Sequence, residues 1–305
     1  MTKREFGKKC VWYHVDGISE SNLATLRRKF DLHSAIISEL KTPTIRPRVE
    51  VIEENIYMVI HFPVYRKKVG SVFPAELDFI IAKNTLITLT YGNMPSISRF
   101  VKEFEKGRSD WLTSRTPAHL VYQILRHLVE NTLAQLGHVQ EDIDHIESLI
   151  FNQRAKEVIP KLTSEIRNII NFKQSLAPHD SILQSLKVAL KEMFGARISP
   201  YFNEIEGMQL KASSEVQNAL DIIRLLQQTN DSLLSNHTNE VIKILTLVTV
   251  VTLPVTLIAT LYGMNVDGLP FLGAFPDPIP LYLILLVMTG LTLLLYIFFR
   301  DRKWF

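Results

Sequence analysis

The chain has 305 residues, 47% of them hydrophobic, with a net charge of +3 and a single cysteine, Cys10. That is apolar material for one sizeable soluble domain plus a small membrane part, and the charge is too small to argue for a nucleic-acid partner. One cysteine builds neither an intramolecular disulfide nor a cysteine zinc cluster, which fits a reducing compartment, and the basic start MTKREFGKKC is followed by no apolar core of signal-peptide length, so no cleaved export signal is expected.

From Cys10 to about residue 110 the pattern is that of an α/β domain. Val11-Trp12-Tyr13-His14-Val15 is a β-branched and aromatic run that predicts a strand, and Ser21 is the N-cap candidate for the amphipathic LATLRRKF that follows. Further strands are expected at Arg48 to Glu53, Ile56 to Phe62, Leu77 to Ala82 and Leu86 to Thr90, with Lys83-Asn84 as the turn between the last two. Together they predict a sheet with flanking helices. No Walker loop, glycine-rich dinucleotide fingerprint or nucleophile elbow occurs, so neither an enzyme nor an organic cofactor is expected.

From Pro117 the composition shifts to helix formers. Apolar residues recur at three and four as far as Phe151, which predicts a long amphipathic helix; a second is expected from about Ala155 to Lys191, interrupted or kinked near Pro178. Two such helices joined by a short link pack antiparallel. On the first, His138, Glu141, Asp142 and His145 share a face, but a zinc enzyme wants a buried site and solvated acidic surface is the plainer reading.

Ser199-Pro200 supplies an N-cap and a proline at the first helical position, and no further proline occurs before Pro254. One helix is therefore predicted from Pro200 to about Tyr262, roughly 95 Å at the helical rise. Val216, Leu220, Ile223, Leu226, Leu234, Val241 and Ile244 form a near-heptad seam on it, interrupted by Asn230 and His237, that needs partners from other helices or other subunits.

Between Ile244 and Val266 there is no charged side chain, a length that crosses the roughly 30 Å hydrocarbon layer. Five threonines sit in this span. At about 100° per residue, Thr249, Thr256 and Thr260 share a stripe with Ile242, Leu245 and Leu253, while Thr246 and Thr252 lie on its margins. Threonine is tolerated in spans because its hydroxyl bonds back to the preceding turn; the clustering favours a polar, water-lining face. A second span from about Pro280 to Phe299 is polar only at Thr289 and Thr292, and its aliphatic and Phe residues favour insertion by roughly 5 kcal/mol together. It reads as lipid-facing. Arg300, Arg302 and Lys303 follow it, whereas the loop from Val266 to Ile279 holds Asp267, Asp277 and no basic residue, so the positive-inside rule puts both chain ends in the cytoplasm. The pass divides the chain into a cytoplasmic α/β domain at 1–112, a cytoplasmic helical stalk region at 113–238 and a membrane domain at 239–305, with spans at about 243–263 and 280–299.

Tyr262-Gly263-Met264-Asn265 closes the first span, Thr238-Asn239-Glu240-Val241 opens it, Leu253-Pro254-Val255-Thr256 sits in its middle, and Lys303-Trp304-Phe305 ends the chain. With two C-terminal spans and a basic tail, this resembles the CorA family of divalent-cation channels, which chiefly carry magnesium; Arg46-Pro47-Arg48-Val49-Glu50 and Leu77 to Thr90 are also similar to the family's cytoplasmic domain. The resemblance implies a homopentamer in the inner cell membrane, with Mg2+ as the transported and a regulatory ion. It implies a filter at Gly263 and Asn265 supported by Tyr262 and Met264, and a pore lined by Thr256, Leu253, Thr249, Leu245, Ile242 and Asn239, to which the helical stripe adds Thr260. It places Glu204 where the family has a stalk carboxylate of an intersubunit divalent site; the partner acid has no clear counterpart, and Glu206 and Glu103 are substitutes to consider. The family's Met-Pro-Glu after the signature is missing here, so Asp267 is the candidate for the external negative charge, which puts the choice among Mg2+, Co2+, Ni2+ and Zn2+ in question.

Each site has a plain structural reading beside it. Asn265 is also a common helix C-cap residue, the threonine stripe is also a packing seam, and Asp267 is also an ordinary loop residue. Three functional readings stand: passive, potential-driven divalent-cation flux, chiefly Mg2+; a zinc transporter of the same superfamily that can couple to protons; and a membrane-tethered scaffold with no ion flux.

Overall fold

In the computed structural model, residues 2–6, 10–66, 70–106, 116–152, 155–264 and 278–302 are described. The central strand Asn55–Arg66 (β4) shows why the first part folds as it does. Ile56, Met58, Ile60, Phe62 and Val64 are buried on one face of the sheet and Tyr57 and Val59 on the other. A strand covered on both faces reads as a nearly continuous apolar run, as this one does. With Thr2–Phe6 (β1), Cys10–Asp16 (β2), Arg48–Ile52 (β3), Ser71–Ile81 (β5) and Thr85–Thr90 (β6) it forms a six-stranded sheet in the order β1-β2-β6-β5-β4-β3. The β2–β6 pair is parallel and the other neighbours are antiparallel.

One face is covered by Glu20–Phe30 (α1) and Ser34–Glu39 (α2), through Leu26, Ile36 and Leu40. The other carries Pro95–Glu105 (α3), the start of Pro117–Phe151 (α4), His179–Phe194 (α6) and the start of Ser199–Tyr262 (α7), through Phe100, Leu125, Leu186 and Phe202. A third cluster joins the far half of α4, Ala155–Leu176 (α5) and α7 through Ile143, Phe172 and Ile223. The chain divides into two compact units, Met1–Gln227 and Gln228–Phe305, the second holding the end of α7 and Ile279–Asp301 (α8).

Several expectations change. The N-cap of α1 is Ser19 rather than Ser21: its hydroxyl accepts from the Asn22 amide at 3.2 Å and pairs with the Ser21 hydroxyl at 2.8 Å. The interruption expected near Pro178 is a full break, with Pro178 as the N-cap residue of α6, which runs on to Phe194 rather than Lys191. Strand β5 begins at Ser71, six residues before the expected Leu77, because Pro74 lies opposite Pro63 and neither needs an N–H at that rung. Strand β1 and helices α2 and α3 were not expected. The single helix predicted to Tyr262 is continuous, and it follows a turn at Gly195 whose φ of 87° favours glycine. Of the predicted seam, Val216, Leu220, Ile223 and Leu226 are buried within the first unit, while Leu234, Val241 and Ile244 are exposed.

Helix α5 is tied to β5 by side-chain amides. Asn168 Oδ1 accepts from the Ser71 hydroxyl at 3.2 Å and from the Val72 amide at 3.1 Å, and Asn171 Nδ2 donates to the Val72 carbonyl at 2.6 Å. Replacing Asn168 by Ala strands a buried backbone N–H, so the denaturation midpoint of the full chain should fall by the equivalent of about 1–3 kcal/mol.

Candidate ion pathway and filter

The last third of α7 has two different faces. Lys243, Ile244, Leu247, Val248, Val251 and Thr252 line a groove of about 670 Å3 with Thr292, Tyr296 and Phe299 of α8. Higher up, Val255 lines a second groove with Leu285, Met288 and Thr289. The sequence-predicted stripe is turned elsewhere: Asn239, Ile242, Leu245, Thr249, Leu253, Thr256 and Thr260 are all exposed, with Leu245 65% and Leu253 62% open. Thr249, Leu253, Thr256 and Thr260 share a shallow depression of about 570 Å3. Four of the seven stripe residues therefore share one surface, and none of the seven lines the grooves between the two spans of this chain.

The threonine hydroxyls are donors into their own helix. Thr249 donates to the Leu245 carbonyl at 2.9 Å, Thr256 to Thr252 at 2.9 Å, and Thr260 to Leu257 at 2.9 Å, while Thr246 on the margin donates to Ile242 at 2.8 Å. Each hydroxyl has one proton and two lone pairs. With the proton engaged, Oγ1 presents acceptor capacity outward, and the exposed stripe offers oxygens to donors such as the water around a cation. The bond to the preceding turn and the polar face are thus one arrangement.

At its C-terminal end the helix closes through Gly263 N donating to the Ala259 carbonyl at 2.9 Å and Met264 N to Leu261 at 3.4 Å. Tyr262 is the last helical residue and Met264 is exposed. Asn265, Asp267 and Asp277 lie outside the described residues.

Among the described residues, two helices are long and apolar enough to cross a membrane, Ala196–Tyr262 and Ile279–Asp301, and their apolar windows are almost wholly unburied by the chain. The model of the family described as "CorA-like Mg2+ transporter protein" matches residues 7–302. The chain belongs to that family. CorA-family proteins are divalent cation transporters of the membrane and not enzymes. The chain is 23% identical over 298 residues to the cobalt/magnesium transport protein CorA of Thermotoga maritima, covering 96% of this chain and 83% of that one. The complete CorA magnesium transporter structure from Methanocaldococcus jannaschii shares the fold, with a TM-score of 0.87 at 20% identity, covering 100% of this chain and 95% of the other. The full-length CmaX protein structure gives 0.77 at 19%, covering 99% and 91%. The shared CorA architecture is a soluble α/β domain, a long helix and two apolar C-terminal helices.

Away from the spans, the other sequence candidates are dispersed. Glu204, in the first turns of α7, has both oxygens engaged: Tyr122 Oη donates to Oε2 at 2.7 Å, and Arg126 Nε stands 3.5 Å from Oε1. Burial first, then the bond to Glu204, holds the Tyr122 phenol above its usual value. Glu206 is separately paired with Lys187 at 2.8 Å, and Glu103 lies on α3. His138 pairs with Glu141 at 3.1 Å and His145 meets Lys161 at 2.7 Å, and among the described residues no three His, Cys, Asp or Glu side chains are placed to hold a metal. The Arg126 contact had no local signal, since its carboxylate comes from a helix 78 positions further on. Replacing Tyr122 by Phe should lower the denaturation midpoint by the equivalent of about 1 kcal/mol, the worth of one partly exposed hydrogen bond.

Proposed function

We propose that several copies of this chain, a homopentamer as the CorA resemblance implies, surround a pore lined by the exposed stripe of α7, through which divalent cations, chiefly Mg2+, flow passively. The observation that carries this reading is the threonine and leucine stripe turned away from α8, with its hydroxyl protons engaged within the helix. Two spans cannot enclose a watery path, so the stripe needs the same stripe on other copies. The cobalt and magnesium transport named for the Thermotoga maritima relative supports the ion class.

Magnesium gives up its water reluctantly. In this reading the ion enters hydrated: Gly263 and Asn265 present neutral oxygens to its water at the outer mouth, Tyr262 and Met264 hold that mouth in shape, and Thr260, Thr256 and Thr249 accept from the same shell along the path. Leu253, Leu245 and Ile242 form apolar rings that close by dewetting, and Asn239 is the polar ring at the inner end. Asp267, repeated in each subunit, draws cations to the outer mouth. With both chain ends in the cytoplasm and the protein in the inner cell membrane, an inside-negative potential drives entry by about 4.6 kcal/mol per 100 mV for a dication. Glu204 takes a regulatory Mg2+ in this scheme only after the ion displaces the Arg126 guanidinium, which now occupies the carboxylate.

Purified protein in liposomes, with an inside-negative potential and a dye for each metal, tests the assignment. Replacing Asn265 by Ala should abolish Mg2+ uptake and leave the oligomer intact; undiminished uptake would refute the filter. Replacing Thr256 by Val keeps the shape and removes the acceptor, and should slow flux about tenfold, the worth of roughly one hydrogen bond. Zn2+ uptake that depends on pH would favour the zinc reading, and no flux of any metal the scaffold.

A further inference from the structure

On the α1 and α2 side of the sheet, two carboxyls stand two residues apart on β5. Glu76 and Asp78 are both buried, Asp78 completely. Their donors are few and one-sided. Tyr57 Oη and Tyr91 Oη each donate to Asp78 Oδ2 at 3.0 Å, and the Thr44 amide donates to Glu76 Oε2 at 2.6 Å. The second oxygen of each acid, Asp78 Oδ1 and Glu76 Oε1, is sealed from solvent and meets no donor. Both acids sit on the same face of β5, at alternate positions, each with one buried oxygen left over. Two carboxylates cannot hydrogen-bond without a proton, and two buried like charges repel strongly.

We infer that the Glu76–Asp78 pair holds one proton at neutral pH, carried by Asp78 Oδ1 and donated to Glu76 Oε1. One proton accounts for both orphaned oxygens. Asp78 is the carrier because it is the more deeply buried, while Glu76 keeps a backbone donor and has His61 beside it at 3.5 Å. The surrounding groups agree. From β4, His61 Nε2 donates to the Thr44 carbonyl at 2.9 Å and lies 3.5 Å from Glu76 Oε2, and Tyr57 donates as described. From β3, Arg48 lies 5.6 Å from the Tyr57 ring centre and is already paired with Glu39 and Glu50. From α6, His179 Nε2 donates to the His61 carbonyl at 2.6 Å, not to an acid. Tyr91 reaches over from the end of β6 and also contacts the Leu40 carbonyl at 3.4 Å. The shared proton therefore ties the α2–β3 loop, through Thr44 and Leu40, to the centre of the sheet.

Burial, then the Glu76 charge, pushes the Asp78 carboxyl up to about 8. Because the folded value is the higher, the native state holds a proton that the unfolded chain gives up near the ordinary carboxylate value of about 4. The pair's contribution is fully present below about pH 4 and is lost as pH rises towards and through 8. Asp78→Asn replaces the carried proton by an amide N–H facing Glu76 and leaves an oxygen for both tyrosines.

Infrared spectra of the full chain in lipid test the assignment directly. At pH 7 the wild type should show a protonated-carboxyl C=O band that shifts on 13C labelling of aspartate and fades as pH rises past about 8. The band should be missing in D78N, whose unfolding temperature should fall less than that of the wild type between about pH 5 and pH 9. A wild-type spectrum at pH 7 with no such aspartate band would overturn the shared proton, and so would a band that survives in folded D78N. The labelled wild-type reading decides the matter even if the variant does not fold.

Discussion

A single helix, α7, has to satisfy two different surroundings, and the rest of the structure depends on how it does so. Its first part buries Phe202, Ile205, Val216 and Ile223 against the sheet and against α4 and α5, so that half is paid for within the chain. Its last part carries Leu245, Leu253 and their neighbours in the open, with α8 covering only the Ile244, Leu247 and Val251 side. Backbone groups raise no difficulty there, because a helix satisfies its own N–H and C=O groups in lipid. What is left over is an exposed face that mixes threonine hydroxyls with leucine side chains.

The threonines make that face intelligible. A hydroxyl that donates to the carbonyl of the turn before it is at ease in hydrocarbon, which is the ordinary reason for threonine in a span. The same bond engages the proton and leaves the hydroxyl oxygen as an acceptor, and four such residues from Thr246 to Thr260 are set this way. Tolerance of threonine in a span and the proposed pore-lining role are therefore compatible at these positions. Thr289 and Thr292 on α8 make the same bond, to Leu285 and Met288, and both line the surface shared with Val255 of α7, whereas Thr249, Thr256 and Thr260 line a surface of α7 alone.

Periodic features were legible in the sequence, and features made by distant partners were not. The span, the long helix to Tyr262 and the strands β4 and β6 each announce themselves through a local repeat of apolar residues. The first half of β5 was hidden because Pro74 argues against a strand unless one knows that Pro63 faces it. Helix α2 was hidden because its cap is the imidazole of His33, whose Nδ1 accepts from the Ala35 amide at 3.2 Å. In the site, the stripe was visible as a helical period, whereas the engagement of Glu204 by Tyr122 and Arg126 depends on two helices meeting. Asn265 and Asp267, which the motif singled out, lie outside the described residues.

The acid pair on β5 shows the same limit from the other side. Glu-Leu-Asp in a strand alternates, and alternation alone would assign Glu76 and Asp78 to a solvated face. The opposite is found because α1 and α2 cover that face, while β4, the end of β6 and the α2–β3 loop bring Tyr57, Tyr91 and the Thr44 amide as donors. Three donors suffice for three lone pairs but leave one oxygen of each acid buried without a partner. A proton is the smallest group that relieves both, and the sheet keeps its layer of helices at the cost of holding it.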